Sequence, residues 1–496
     1  MLAAIGLVGA SSPAVAQSCT AGTESDFDGD GKFDLAIGDP DATVAGKLRA
    51  GRVHVAYGSG AAVTIDADDI PNNENGAGER FGFSMDTVDW NGDGCTDLFI
   101  GAPYEAWASG MAETGIVVFI PGSPTGLDTA LAKNWSQASF DGDTGVDTNH
   151  PGDRFGWDIA AGLDTAGDPF IVVGVPGEST TTTEGVVLNH GGNVFYARPG
   201  NAIDFNQNSA GFADSFEDGD MFGYSVAASE SGFVVGVPGE DANYSDHTIH
   251  DAGTMFLMAH SDASTVPAPI AAWGQGNTTI SGEFEDGDMY GYSLDMVDYI
   301  STGGGAAKMM IAIGASGEDT SAGLSSVVWS PGSGFTEYKT ISQDGDGAAA
   351  DAAEPGDMFG AAVAMVNRTP GQNTGVNTLL MTVGVPGEDD EATGLFDVGE
   401  AQLFSMTEDQ AQENNPVRPR LPAEKFTPAD GAGIGQVLYA NKQYLFVSAT
   451  GATGPAVYRI PWDNLVAGAA AAVTSYTPAT FGLTNADVVS FGASLA

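Results

Sequence analysis

The sequence predicts an all-β protein, a seven-bladed β-propeller of four-stranded antiparallel blades, and three observations carry that expectation. Seven apolar runs along the 496-residue chain each end in a tight turn of Gly-Pro type. Their equivalent positions recur 62 to 78 residues apart, a period that means stacked repeats, none able to bury its apolar face alone. Helical periodicity is nearly absent, and short alternating stretches bounded by glycine take its place.

The turns are Ile37-Gly38-Asp39-Pro40, Ile100-Gly101-Ala102-Pro103, Val173-Gly174-Val175-Pro176, Val235-Gly236-Val237-Pro238, Ile313-Gly314-Ala315-Ser316, Val383-Gly384-Val385-Pro386 and a decayed Val447-Ser448-Ala449-Thr450. Upstream of all but the first stand Phe81-Gly82, Phe155-Gly156, Phe222-Gly223, Tyr290-Gly291, Phe359-Gly360 and the weaker Ile434-Gly435. Within one repeat, Phe222 to Ala227 reads as a first strand, Gly232 to Gly236 as a second and Gly253 to Met258 as a third. A less regular fourth strand precedes the next Phe-Gly, which makes a propeller blade. The last residues, Phe491-Gly492-Ala493-Ser494-Leu495-Ala496, match Phe81-Gly82-Phe83-Ser84-Met85-Asp86 position for position. The C-terminus is therefore expected to supply the innermost strand of the blade begun by the N-terminus, abolishing an open edge. The alternative is a tail without a structural role.

A ring of repeats is one cooperative unit, so residues 17–496 read as a single propeller despite the length. Residues 1–16 carry an apolar run and a small-residue cleavage pattern, Ala14-Val15-Ala16, and read as a signal peptide remnant lacking its basic start. A secreted or cell-surface location and a monomer are expected, and no other apolar stretch is long enough to span a bilayer. Sixteen basic against 66 acidic residues give a formal charge of −50, which argues against nucleic acid and anionic lipid as partners. Cation ligation, solubility and a saline habitat all account for acidic excess.

Asp26, Asp28, Asp30 and Asp34 place carboxylates at positions one, three, five and nine of a loop, with Gly31 at six and the Lys32 carbonyl at seven. That is the front half of an EF-hand-like loop, whose oxygens converge on a hard cation, although its closing bidentate glutamate is absent. Asp89, Asn91, Asp93, the Cys95 carbonyl and Asp97 repeat the arrangement. Without a cation the like charges repel; a solvated acidic turn is the plain alternative. Later hairpins keep only fragments: Asp164 with Asp168, Asp295 with Asp298, and Asn367 alone.

On these repeats and loops the chain resembles the FG-GAP repeat family, whose best-known members are the propeller heads of integrin α subunits. The resemblance runs from Asp26 to Ala496 and implies the propeller fold, with Ca2+ held by loops between the first and second strands of a blade. Both acidic loops fall in that slot. Integrin heads carry such loops in later blades, so the metallated blades differ here. A partner β chain, leg domains and a membrane span are missing, so an integrin-type function is not carried over.

A second acidic set precedes each Phe-Gly (Asp153, Glu217 to Asp220, Glu285 to Asp288, Asp357), and a third follows each Gly-Pro turn (Glu178, Glu240, Glu318, Glu388). By propeller topology both lie on the face opposite the calcium loops. They form either a functional ring or, for each Asp before Phe-Gly, a turn cap accepting backbone N–H bonds.

Catalytic signals are thin. Of six histidines only His247 and His250 cluster, in an insertion from Asp241 to Asp251 that reads either as a zinc or acid–base site or as a polar surface loop. Ser225 and Ser293 follow Phe-Gly pairs without a nucleophile elbow. Two function classes remain: a binding or adhesion module for an extracellular glycan or protein, and a propeller enzyme such as a polysaccharide lyase or an esterase-like hydrolase. Scarce basic residues speak against the lyase. Insertions at Tyr104 to Glu113 and Asp241 to Asp251 offer Tyr104, Trp107 and Tyr244 as ligand-stacking aromatics on the Phe-Gly face. Cys19 and Cys95 are expected to pair, as two cysteines in a secreted chain do.

Overall fold

Strand propensity and glycine punctuation resolve, in a computed structural model of the chain, into seven antiparallel blade sheets around a central channel, with two small two-stranded hairpins beside them. The structure describes residues 19, 24–107, 110–138, 149–181, 185–212, 215–243, 246–276, 280–330, 334–343, 352–390, 392–406 and 426–496. Residues 1–16 and Tyr244 lie outside the described residues.

Blade 2 shows the pattern: Ser84–Val88, Asp97–Ala102, Ile116–Ile120 and Lys133–Trp135 pair in chain order from the channel outwards. Blades 3, 4, 5 and 7 begin with Ile159–Leu163, Val226–Ser229, Ser293–Tyr299 and Leu438–Ala440, and each has four strands. Three strands of blade 6, starting at Val363–Asn367, are described. Blade 1 contributes Leu35–Gly38, Val53–Ala56 and Ala62–Ile65, and its innermost place is taken by the C-terminus. There Ile37 bridges Leu495, Ala36 N–H donates to the Ala496 carbonyl (2.8 Å), and Gly38 N–H to that of Ser494 (2.9 Å).

Second and third strands, rich in Val, Ile and Phe, are covered on both faces because every blade stacks on two neighbours. The buried side chains accordingly fall into seven clusters, one at each blade interface. Between blades 7 and 1, Phe446 and Val457 pack with Leu35, Ile37, Phe491 and Leu495. This sheet-on-sheet burial is the main source of stability.

The Phe-Gly and Gly-Pro elements are where blades touch backbone to backbone. A Cβ on Gly101 would stand 2.2 Å from the Gly156 carbonyl oxygen of blade 3, and one on Gly174 would stand 2.0 Å from that of Gly223. Only glycine admits that approach. The serine two residues past each of four glycines closes the same joint: Ser84, Ser225, Ser293 and Ser494 donate to the carbonyls of Gly156, Gly291, Gly360 and Gly82.

Two expectations need correction. The first strand does not begin at Phe222: Phe222 makes a parallel bridge to Gly192, and the strand starts at Val226. The aromatic ring fills the interface between blades, and its backbone pairs outside its own sheet. Asp295 and Asp298 are not hairpin residues either, since both lie inside Ser293–Tyr299. The insertion after the fourth Gly-Pro turn forms a small hairpin, Ala242–Asn243 against Thr248–Ile249.

Candidate functional site

On one face, the two acidic loops lie side by side. The Asp26–Asp34 loop feeds Leu35–Gly38 from outside the sheet, while the Asp89–Asp97 loop joins the first and second strands of blade 2. Thr96 N–H donates to the Asp26 carbonyl (3.0 Å), Ser123 N–H to that of Phe27 (3.1 Å), and a disulfide joins Cys19 to Cys95 with Cα atoms 5.0 Å apart.

Glycine-permitted curvature turns carboxylates inwards. Asp26 accepts from Asp30 N–H (3.0 Å) and Gly31 N–H (2.8 Å); Asp89 does the same with Asp93 N–H (3.1 Å) and Gly94 N–H (2.9 Å). Asp34 accepts from Phe27 and Gly58 N–H; Asp97 accepts from Trp90 and Gly122 N–H. Carboxylate oxygens of Asp26, Asp28 and Asp34 lie within 4.8 Å of one another, an all-oxygen donor set of the kind hard cations take. Asp30 instead holds the Lys32 ammonium at 2.6 Å. Asn91 and Asp93 accept from Asp93 and Cys95 N–H, so these side chains curl over the second loop. Burial, reinforced by neighbouring carboxylates, pushes Asp34 and Asp97 up to about 7. In blade 3 the matching turn supplies its own cation: Arg198 meets Asp164 at 2.6 Å.

The channel between the two faces carries three inward carboxylates. Asp86, Asp158 and Asp295 each accept one N–H from the following residue and one from the next blade, at Ala161 (2.7 Å), Val226 (2.8 Å) and Met365 (2.6 Å). Burial pushes all three up to about 7.

At the Phe-Gly face the channel opens into a cavity of about 460 Å³, lined by Pro40, Asp41, Arg80, Phe83, Trp157 and Tyr224 among others. Its wall is an arc of aromatic rings: Phe83 to Trp157 4.8 Å, Trp157 to Tyr224 5.5 Å, Tyr224 to Tyr292 5.2 Å between centroids. Tyr104 joins the arc at 6.0 Å from Phe83 and 6.2 Å from Trp157. The guanidinium groups of Arg80 and Arg154 sit 4.6 and 5.3 Å over its ring, and they are also paired with Asp41 (3.1 Å) and Glu113 (2.9 Å). Trp107 is 45 % exposed. Of the aromatics singled out in the sequence, Tyr104 therefore belongs to the arc. Phe83, Trp157, Tyr224 and Tyr292 were missed, although each directly follows a Phe-Gly or Tyr-Gly pair.

The aspartates before Phe-Gly cap turns. Asp153, Asp220, Asp288 and Asp357 accept from the N–H three residues upstream, on His150, Glu217, Glu285 and Glu354. In blade 2 Glu79 takes the place of the aspartate, accepting from Gly76 N–H, and it faces Glu105, whose carboxyl is pushed up by burial and by Glu79. His250 holds Asp241 at 2.9 Å and His247 holds Asp246 at 2.8 Å, two separate exposed pairs.

The FG-GAP repeat family model matches residues 21–55 and 81–120, the segments holding both acidic loops and the first two Gly-Pro turns. Integrin alpha-PS2 of Drosophila melanogaster is 36 % identical over 154 residues, 29 % of this chain and 10 % of that protein. Phosphatidylinositol-glycan-specific phospholipase D of Bos taurus is 28 % identical over 161 residues, 31 % of this chain and 18 % of that protein. The matched region is less than a fifth of either relative's length. Among solved structures, the Aleuria aurantia lectin overlaps with a TM-score of 0.37 at 8 % identity, covering 79 % of this chain and 93 % of that one. So loose an overlap says nothing about sugar binding. Among the described residues no helix is long and apolar enough to cross a membrane.

Proposed function

We infer that this chain, a propeller of FG-GAP repeats, is an extracellular calcium-binding module that recognises a glycan or protein ligand non-covalently on its Phe-Gly face. The observation that carries the reading is the arc of Tyr104, Phe83, Trp157, Tyr224 and Tyr292 at the channel mouth. Half-buried rings held by a rigid ring of blades present π-faces at little entropic cost, and such faces stack on sugar rings or cationic side chains. Asp41, paired with Arg80, and Asp158 line the same mouth. On the opposite face, Asp26, Asp28, Asp30 and Asp34, with the Lys32 carbonyl, would hold one Ca2+; Asp89, Asn91, Asp93 and Asp97, with the Cys95 carbonyl, would hold a second. Bound there, calcium cancels like-charge repulsion and fixes the loops that brace blades 1 and 2. The Cys19–Cys95 disulfide supports an oxidising, extracellular location.

The enzymatic alternative has less support. Ser84, Ser225 and Ser293 direct their hydroxyls to glycine carbonyls of the next blade, and Arg80 and Arg154 are engaged by carboxylates. Calcium-loaded protein screened on glycan and matrix-protein arrays tests the proposal. Binding that Tyr224→Ala abolishes and that Trp107→Ala or Tyr244→Ala weakens supports it. A ligand bound equally well by Tyr224→Ala, or no ligand and turnover of polysaccharide or ester substrates, overturns it.

A further inference from the structure

Four successive blades repeat one buried arrangement on the Phe-Gly face. A glutamine just past the outer strand of one blade donates its amide to the glutamate after the Gly-Pro turn of the next: Gln137 to Glu178 (3.1 Å), Gln207 to Glu240, Gln275 to Glu318 and Gln343 to Glu388. The turn carrying each glutamate is bonded to the backbone of the turn-capping aspartate, through Gly177, Gly239, Gly317 and Gly387 N–H to the carbonyls of Asp153, Asp220, Asp288 and Asp357. In all four the glutamine Oε1 is buried without a hydrogen-bond partner. Repetition of this scaffold is architecture. Its one asymmetry is the residue capped by the aspartate, which is glutamate in blades 4, 5 and 6 and His150 in blade 3.

That change of one residue brings a nitrogen donor to two carboxylates. His150 Nδ1 stands 3.9 Å from Asp153 Oδ2 and 4.0 Å from Glu178 Oε1, and the three donor atoms lie within 4.8 Å of one another. Asp153 and Glu178 side chains are 1 % and 4 % exposed, while His150 at 53 % leaves the cluster open to solvent. Gln137, 1 % exposed, grips Glu178 Oε2, while Glu178 Oε1 stands 4.0 Å from the imidazole Nδ1.

We propose that His150, Asp153 and Glu178 bind one divalent transition-metal ion of the zinc class. An imidazole with carboxylates and no thiolate suits Zn2+, Co2+ or Mn2+, whereas Ca2+ and Mg2+ take oxygen only. Two carboxylates neutralise the dication, and the amide bond to Glu178 orients a ligand as outer partners of metal sites do. The site is independent of the calcium loops, which lie on the other face.

The test is zinc titration against a chromophoric chelator in excess calcium, with cobalt(II) absorption as the readout of nitrogen ligation. Wild type is expected to take one such ion, His150→Ala to lose it, and Gln137→Ala to bind about 10- to 100-fold more weakly. A His247→Ala, His250→Ala double variant is expected to bind as wild type does. Since His150 is half exposed, its variant should melt with wild type, which separates loss of the site from loss of the fold. Wild-type affinity in His150→Ala, no uptake by wild type, or loss in the His247, His250 variant would each overturn the proposal.

Discussion

Removing residues 490–496 tests how the ring is closed. The segment makes five backbone bonds to blade 1 (Ala36 to Ala496, Ala496 to Ala36, Gly38 to Ser494, Gly492 to Gly38, Ala493 to Gly38) and, among its side-chain bonds, one from Ser494 Oγ to the Gly82 carbonyl. At about 0.5–1.5 kcal/mol net each, these six contribute roughly 3–9 kcal/mol. Phe491 and Leu495, 5 % and 8 % exposed, add about 1.5–3 kcal/mol each. The sum, about 6–15 kcal/mol, is an upper estimate because the unfolded chain already buries some surface. It matches the whole stability of a typical domain, about 5–15 kcal/mol. The truncated chain should therefore lose its cooperative transition, or aggregate through the bare edge of Leu35–Gly38. Urea and thermal unfolding by circular dichroism, with size-exclusion chromatography, reads this directly. Ser494→Ala, which removes one bond only, should lower stability by about 1 kcal/mol. A truncated protein that unfolds at the wild-type midpoint with the wild-type slope would refute the reasoning.

Three further outcomes are expected. Chelation should lower the melting temperature, each loop contributing about 2.7 kcal/mol when free calcium stands a hundredfold above its Kd, and elemental analysis should find two calcium ions per chain; unchanged melting with no calcium present sinks that reading. In chelator, stability should fall as pH rises through about 7, because Asp86, Asp158 and Asp295 titrate there when folded and near 3.8 when unfolded, so their protonated forms stabilise the fold below that range. Asp86→Asn should flatten that slope, and an unchanged slope in the variant would contradict it. Gly174→Ala should cost about 1–3 kcal/mol, since its Cβ would meet the Gly223 carbonyl 2.0 Å away and force blades 3 and 4 apart; a melting curve superimposable on wild type would show that the joint is looser than drawn.

The architecture was legible because a propeller is written in its period. Phe-Gly and Gly-Pro pairs recur wherever blades touch backbone to backbone, and the closing hexamer repeats Phe81 to Asp86. Strand starts were not legible, because Phe222 pairs with Gly192 of the preceding blade, a contact no local window contains. Asp295 read as a loop ligand for the same reason: a carboxylate in an inner strand is paid for by the N–H of Met365, seventy residues away. The aromatic arc had a visible signal, the third position of the Phe-Gly motif, yet its meaning depends on four blades converging on one axis. The glutamines beside Glu178, Glu240, Glu318 and Glu388 had only a weak one, a Gln two residues beyond an apolar strand.

Which face binds is the claim on which the functional reading turns, and hydrogen exchange of the calcium-loaded protein with and without its array-selected ligand measures it most directly. Slowed exchange is expected at residues 80–84, 154–158 and 221–225 around the channel mouth, with the 89–97 loop unchanged. Protection confined to the 26–34 and 89–97 loops, with the aromatic arc exchanging as in the free protein, would contradict it.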